Sequence, residues 1–312
     1  MCEKYPALRY TQEMWDDCKN GVWTVECPSW KEYVRTVEEY REYRYVWRGQ
    51  SSEKPLLPSI YRDKEPKRHE IDQHLLHFRR NLPTGGALAE FLERAQEESR
   101  PEFTKALSQY RNMIHPHEVD IDPTNDVEDF IAYVYWAIGQ HYGLETPILD
   151  WTHDPYTALF FAFCKKKEKH SNRVVFGLAE KSRRLLQKRG ATKRYVEFLD
   201  ALYFVETLSN ADGIPQDIRK GVRAMFCRIK AQKGLFTRTL YKESIEQYAR
   251  KCYREHREKE GEIVFLIKIV IPDDIREDVL RELEEKGISY KAVYPDVQGA
   301  ALHANLKLER SP

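Results

Sequence analysis

Between Gln140 and Phe163 the chain reads QHYGLETPILDWTHDPYTALFFAF, and polarity changes sharply across this stretch. From Tyr156 to Phe163 it is almost wholly apolar, ending before Lys165, Lys166 and Lys167. An apolar run with no polar face predicts a buried helix. Asp154 stands at the N-cap position, and Pro155 at the first helical position, where a missing N–H is harmless. The lysines follow where the helix dipole favours cations. The first half is polar and aromatic. It reads as a loop pinned against the buried helix, its side chains placed by rigid packing.

Periodicity predicts further elements around this centre. Ser29 and Glu32 have capping-box spacing at the start of a helix running to Glu42, with Tyr33, Val34, Val37 and Tyr40 on one face. Val127, Phe130, Ile131, Val134 and Ile138 form a core-facing stripe. That helix delivers Gln140, His141 and Tyr142 at its end, and Gly143 is a stop residue. Residues 65–110 are charged and mostly helical, broken at 83–86; a polar helix is expected at 244–260. Another runs from Asp273 or Asp274 to Lys286, with Ile275, Val279, Leu280 and Leu283 on one face. Strands are expected at Tyr43–Trp47, Arg173–Leu178, Ile263–Ile271 and Tyr290–Val293, the third being a nearly continuous apolar run suited to a central strand. The pattern predicts an α+β fold: one mixed or antiparallel sheet core surrounded by helices. An N-terminal arm or short strand occupies 1–28, and a single large domain spans 29–305, with helical insertions at about 63–122 and 180–222.

Composition narrows the class. Aromatics make up 12% of 312 residues, with 19 Tyr and 6 Trp, which argues against disorder. Charged residues reach 32%, and the net charge is +1, so bulk charge demands neither nucleic acid nor an anionic membrane. The cysteines at 2, 18, 27, 164, 227 and 252 make no CxxC pair. With no signal-like segment and no apolar run of membrane length, they predict free thiols in a cytoplasmic protein with no metal site. His115 and His117 lie two apart on an expected loop, as a ligand pair or as exposed histidines. No GxGxxG, P-loop, HExxH or GxSxG pattern is present.

The candidate chemistry sits at strand and helix ends. Arg48 follows a strand and precedes Gly49 and Gln50. A fixed guanidinium there suits phosphate or carboxylate, or pairs with a core-edge carboxylate such as Asp150 or Asp296. Gly49 lets the backbone turn or be closely approached. His141 can act as acid, base or hydrogen-bond donor, oriented by Asp150 or Asp154, or can simply be satisfied at a helix end. Tyr142 can stack on a flat ring. Asp150 can bond backbone amides in a turn, and Gln232 and Asp296 also read as turn residues.

Four motifs together resemble the FRG domain family: Trp47-Arg48-Gly49-Gln50, the 140–163 stretch, the segment 228–236 ending Gln232-Lys233-Gly234-Leu235-Phe236, and Tyr294-Pro295-Asp296-Val297-Gln298-Gly299. Glu145 and Pro147-Ile148 depart from the family's commoner residues, and Trp47 replaces its Phe. A more distant resemblance joins the Arg-Gly and the Thr-containing turn to the first two motifs of ADP-ribosyltransferases. It implies NAD as cofactor. Arg48 would hold the phosphates and ribose, Thr152 would support the ribose pocket, and Tyr142 or Trp151 would face the nicotinamide. No Glu matches that family's third motif, so Asp296, Gln298 or Gln232 would have to substitute. The expectation is a nucleotide-like ligand among Arg48, Gly49, Gln50, Tyr142, Trp151, Thr152 and Gln232. His141, Asp150 and Asp296 are the catalytic candidates. The implied context is a toxin or phage-defence effector acting on a protein or nucleic-acid target; a non-catalytic module binding such a target is the alternative.

Overall fold

Seven strands form one mixed sheet in the order β1-β7-β4-β2-β3-β6-β5. They are β1 (Val22–Glu26), β2 (Tyr45–Gln50), β3 (Ile148–Thr152), β4 (Arg173–Ala179), β5 (Val196–Leu199), β6 (Gly234–Thr239) and β7 (Leu266–Ile271). The computed structural model describes residues 21–41, 45–81, 132, 135–167, 171–179, 196–199, 227–239, 243–256 and 266–311. The expected helical residues 82–110, Val127, Phe130, Ile131 and Val134 of the core-facing stripe, and His115 and His117 lie outside them, while residues 135–141 of that stripe's helix are helical as expected. β1 runs parallel to β7, and every other pairing is antiparallel. The expected α+β architecture with a mixed sheet is what forms.

Side-chain alternation gives each face of the sheet its own core. On one face Tyr45 and Trp47 of β2, Val175 of β4 and Ile267, Ile269 and Ile271 of β7 meet the buried helix α3 (Pro155–Phe163). Val37 of α1 (Trp30–Glu39) and Val279, Leu280 and Leu283 of α5 (Arg276–Glu285) close that layer. On the other face Val46, Val174, Phe176 and Leu178 pack with Leu149 and Trp151 of β3 and with Ile245, Tyr248 and Ala249 of α4 (Ile245–His256). The ends of α1 and α3 are fixed as their sequences predict. The Ser29 hydroxyl accepts from the Glu32 N–H, and an Asp154 carboxylate oxygen accepts from the Tyr156 N–H.

At the C-terminal end of α3 two buried arginines satisfy the carbonyls. Arg173 donates to the Ala162 and Lys165 carbonyls and pairs with Asp273. Arg276 donates from Nε to the Phe163 carbonyl at 3.0 Å, and the Tyr290 hydroxyl donates to the Cys164 carbonyl. Carbonyls at a buried helix end need donors, and delocalised guanidinium groups tolerate that site better than ammonium groups.

Two expectations are corrected. Residues 148–152 form β3 rather than a loop, because β6 supplies a full ladder from Ile148↔Arg238 to Thr152↔Gly234. Tyr290–Val293 is a short helix, α6, rather than a strand; Ser289 enters it in extended conformation and Tyr290 packs edge-on against Phe160 at 5.1 Å. Inside the expected insertion at about 180–222, Val196–Leu199 form strand β5, which pairs with β6. The apolar 266–271 strand is interior as expected, held between β1 and β4. Residues 22–26 of the N-terminal arm form strand β1. Of the first helical insertion, α2 (Arg68–Asn81) is described, with Ile71 and Leu75 buried.

Candidate functional site

The sheet parts between β2 and β3. Trp47↔Thr152 is their only register pair, whereas β2 pairs with β4 along its whole length. Continuing the antiparallel register would set Gly49 opposite Asp150, but there the strands have separated. Arg48 fills the gap: its Nη1 donates to the Asp150 carbonyl at 2.6 Å and reaches the Asp150 Oδ1 at 2.7 Å. Its Nε is buried and has no partner among the described residues. Gly49 is explained by the other face of the strand. A Cβ there would lie 1.8 Å from the Ala158 carbonyl oxygen, so α3 rests directly on the backbone. The close approach expected at Gly49 is by a helix rather than a ligand.

A cleft of about 970 Å³ opens from this parting. It is lined by the end of β2, the loop 51–63, the helical residues 137–141, the C-terminal end of α3, the turn 228–232 and the residues after Ser289. Arg48 and His141, far apart in sequence, share it. So do Gly49, Gln50, Asp150 and Gln232. Four of the five β3 residues are buried; Asp150 is the exception because its side face opens on the cleft. Its side chain is 57% exposed. Enclosure pushes its pKa up, but the Arg48 charge and hydrogen bond, with Arg62 beyond, outweigh this and hold it below its ordinary 3.8.

A relay of hydrogen bonds fixes that carboxylate. Gln140 Nε2 donates to Asp150 Oδ1 at 3.1 Å, and the Thr146 hydroxyl donates to Gln140 Oε1. The Thr146 N–H in turn donates to the Ser59 hydroxyl at 2.9 Å. The Gln that opens the 140–163 motif therefore acts on the Asp ten residues later.

His141 is oriented neither by Asp150 nor by Asp154. Asp154 is engaged as the α3 cap and with Thr157 and Lys233. Instead His141 meets the ring of Tyr142 edge-on at 4.7 Å. Burial, then the neighbouring Arg228 charge, lower its pKa from 6.5, with Asp296 offsetting part of the shift. The imidazole is neutral at pH 7.

Four other candidates fall outside the cleft lining. Tyr142 is 67% exposed at the surface. Trp151 is buried, and its indole N–H donates to the Thr237 hydroxyl at 2.8 Å. The Thr152 hydroxyl donates to the Gln232 carbonyl at 2.6 Å, tying the second motif to the third. Both residues border an adjoining hollow of about 30 Å³. Asp296 caps α7 (Val297–Glu309) through the Gly299 N–H, and it accepts from Arg228 Nε at 2.6 Å. The two remaining candidates for the third-motif acid are also engaged: Gln298 accepts from Arg228, and Gln232 donates to the Val293 carbonyl at 3.0 Å.

Sequence reasoning passed over several lining residues. Lys54, Arg62 and Lys165 border the cleft with no salt bridge among the described residues. Arg228 and Tyr294 stood inside the third and fourth motifs, and their place in those motifs was the available signal. Arg228 lies over the Tyr294 ring at 4.7 Å. Among the described residues, five basic side chains line the cleft against Asp63 and Asp150, while Phe161, Tyr290 and Tyr294 supply an aromatic wall. Such a surface attracts an anion and offers flat apolar contact. Among the described residues no cluster of His, Cys, Asp or Glu could hold a metal ion, and no helix is long and apolar enough to cross a membrane. Cys27, Cys164 and Cys227 are free thiols.

The family model of the FRG domain matches residues 43–171. No curated protein and no solved structure matches the chain. The matched segment carries the first two motifs, Trp47–Gln50 and Gln140–Phe163, and residues of the later two line the same cleft. Residues 43–171 therefore carry an FRG domain.

Proposed function

We propose that the cleft between β2 and β3 binds a nucleotide-like anion, with NAD the first candidate. The observation that carries this reading is the excess of basic over acidic side chains around an open volume with an aromatic wall. Nucleotides present phosphates to guanidinium and ammonium groups and a flat base to aromatic rings. Among the described residues no side chain fills the cleft, which favours a ligand over a purely structural role for the motifs.

If the bound nucleotide is turned over, as in NAD hydrolysis or ADP-ribosyl transfer, Asp150 is the carboxylate placed to act. Asp296 is already engaged with Arg228 and the α7 cap. That engagement, with those of Gln298 and Gln232, also favours a second reading, in which the site binds without chemistry. In that reading the module recognises a ligand or a protein or nucleic-acid target in a defence setting.

Saturation binding of NAD to the purified protein, wild type against Arg48→Ala, tests the proposal. Binding by the wild type and loss in the variant is expected; no binding by either removes it. Overexpression in bacteria separates the two readings. Growth arrest with falling cellular NAD in the wild type alone supports turnover, and binding without either effect supports the non-catalytic module.

A further inference from the structure

Two side chains lining the cleft each carry a polar atom with no hydrogen bond to another residue among the described residues. The first is Asp150 Oδ2. Its sister oxygen Oδ1 is taken by Arg48 at 2.7 Å and by Gln140 at 3.1 Å, so the carboxylate cannot turn. The second is the Tyr294 hydroxyl. Its ring is held by the Arg228 guanidinium at 4.7 Å, by Phe161 edge-on at 6.1 Å and by Tyr290 at 6.2 Å. Both residues line the same cleft, one from the second motif and one from the fourth.

Their chemistries are complementary. Arg48 keeps the Asp150 carboxylate ionised, hence an acceptor only. Burial, then the Asp150 charge, push the Tyr294 hydroxyl up to about 12, so it remains a donor. An acceptor and a donor on residues that line one cleft suit a group that both donates and accepts. A phosphate fails this requirement, since the carboxylate repels it. A sugar hydroxyl meets it, and a vicinal pair can engage both atoms at once. Phosphates find better partners in Lys54 and Arg62 on the loop 51–63.

Resting on the nucleotide reading, we infer that Asp150 and Tyr294 form a diol site for the ribose of the ligand, with its phosphates directed toward Arg62 and Lys54. The site then distinguishes ribose-bearing anions from plain phosphates and from sugars lacking the hydroxyls.

Titration with ADP and with 2′,3′-dideoxy-ADP tests this in the wild type, Tyr294→Phe and Asp150→Asn. The wild type is expected to prefer ADP by about tenfold, the worth of one hydrogen bond to a charged or fixed partner. Tyr294→Phe keeps the ring and its packing; it should shrink the preference while leaving affinity for the dideoxy compound unchanged. Equal affinities in the wild type, or a preference that survives in both variants, overturn the inference and leave the nucleotide reading in place. Binding of neither nucleotide to the wild type overturns both. If Tyr294→Phe does not fold, Asp150→Asn supplies the same comparison.

Discussion

Arg48 and Asp150 meet at 2.7 Å where strands β2 and β3 part. Arg48 also donates to the Asp150 main-chain carbonyl at 2.6 Å, so one guanidinium replaces a missing ladder bond and anchors a cleft-facing carboxylate. The pair is therefore structural and functional at once. An arginine at that strand end lets the sheet open without leaving an orphaned carbonyl.

The stability of the pair has a defined pH dependence. The folded Asp150 pKa lies below its ordinary value, so its contribution is present above about pH 4 and is lost as pH falls through the folded pKa. Asp150→Asn should lower the melting temperature by about 2 °C at pH 7, the scale of a solvent-facing pair. That difference should vanish in more acidic buffer. Thermal melts of both proteins from pH 7 down to about pH 3 check it.

Gly49 and Gly143 belong to different physical cases. A methyl at Gly49 meets the Ala158 carbonyl oxygen at 1.8 Å and the Ala162 nitrogen at 2.7 Å, neither of which can move without shifting α3. Gly49→Ala should cost about 3 kcal/mol or more, the upper range of overpacking. Gly143 has φ 94 with nothing within 4 Å of an added Cβ, so Gly143→Ala should cost only about 1 kcal/mol of backbone strain. Denaturant midpoints rank the two.

Arg173→Ala removes a fully buried partner of Asp273 and of two carbonyls at the α3 end. Removing the guanidinium from this buried pair and from the two carbonyls should cost about 3–5 kcal/mol. Arg173→Lys should not restore it, because one ammonium cannot reproduce the fork. Chemical denaturation of the three proteins tests the ordering.

His141 gives a second pH handle on the cleft, of the same sign but set nearer neutrality. Burial and the Arg228 charge lower its pKa from 6.5, so the unfolded chain binds the proton more readily than the folded protein. Stability associated with the neutral imidazole is complete above about pH 6.5 and is lost as pH falls through the folded pKa. NMR titration of the imidazole should place its midpoint below 6.5. In His141→Gln the wild-type loss of stability on mild acidification should be reduced.

Local signals were the legible ones. Asp154 and Pro155 announced α3, Ser29 announced α1, and Arg48 announced itself by preceding Gly49 at a strand end. What could not be read depended on distant chain. The strand character of Ile148–Thr152 exists only because Gly234–Thr239 arrives more than eighty residues later to pair with it. Tyr290–Val293 has strand-like residues, yet packing of Tyr290 on Phe160 and its bond to the Cys164 carbonyl favour a helical turn. Nothing near Phe163 marks Arg173 and Arg276 as donors to the α3 end. The candidate site was legible in its first half for the same reason: Arg48, Gln140, His141 and Asp150 stand in dense local motifs. Lys54, Arg62 and Tyr294 become cleft residues only when the loop 51–63 and the chain after Ser289 fold against β2 and β3.

The central claim is that an excess of cations around the β2–β3 cleft exists to hold an anionic nucleotide. Calorimetric titration with NAD and ADP of the wild type and of Lys54→Ala/Arg62→Ala addresses it most directly. Both replaced side chains lie at the cleft border outside the core, so the variant should melt like the wild type. The account predicts saturable binding by the wild type and affinity at least about tenfold weaker in the variant, as expected for two lost phosphate contacts. Absence of saturable binding to the wild type, or equal affinity in the two proteins, would contradict it.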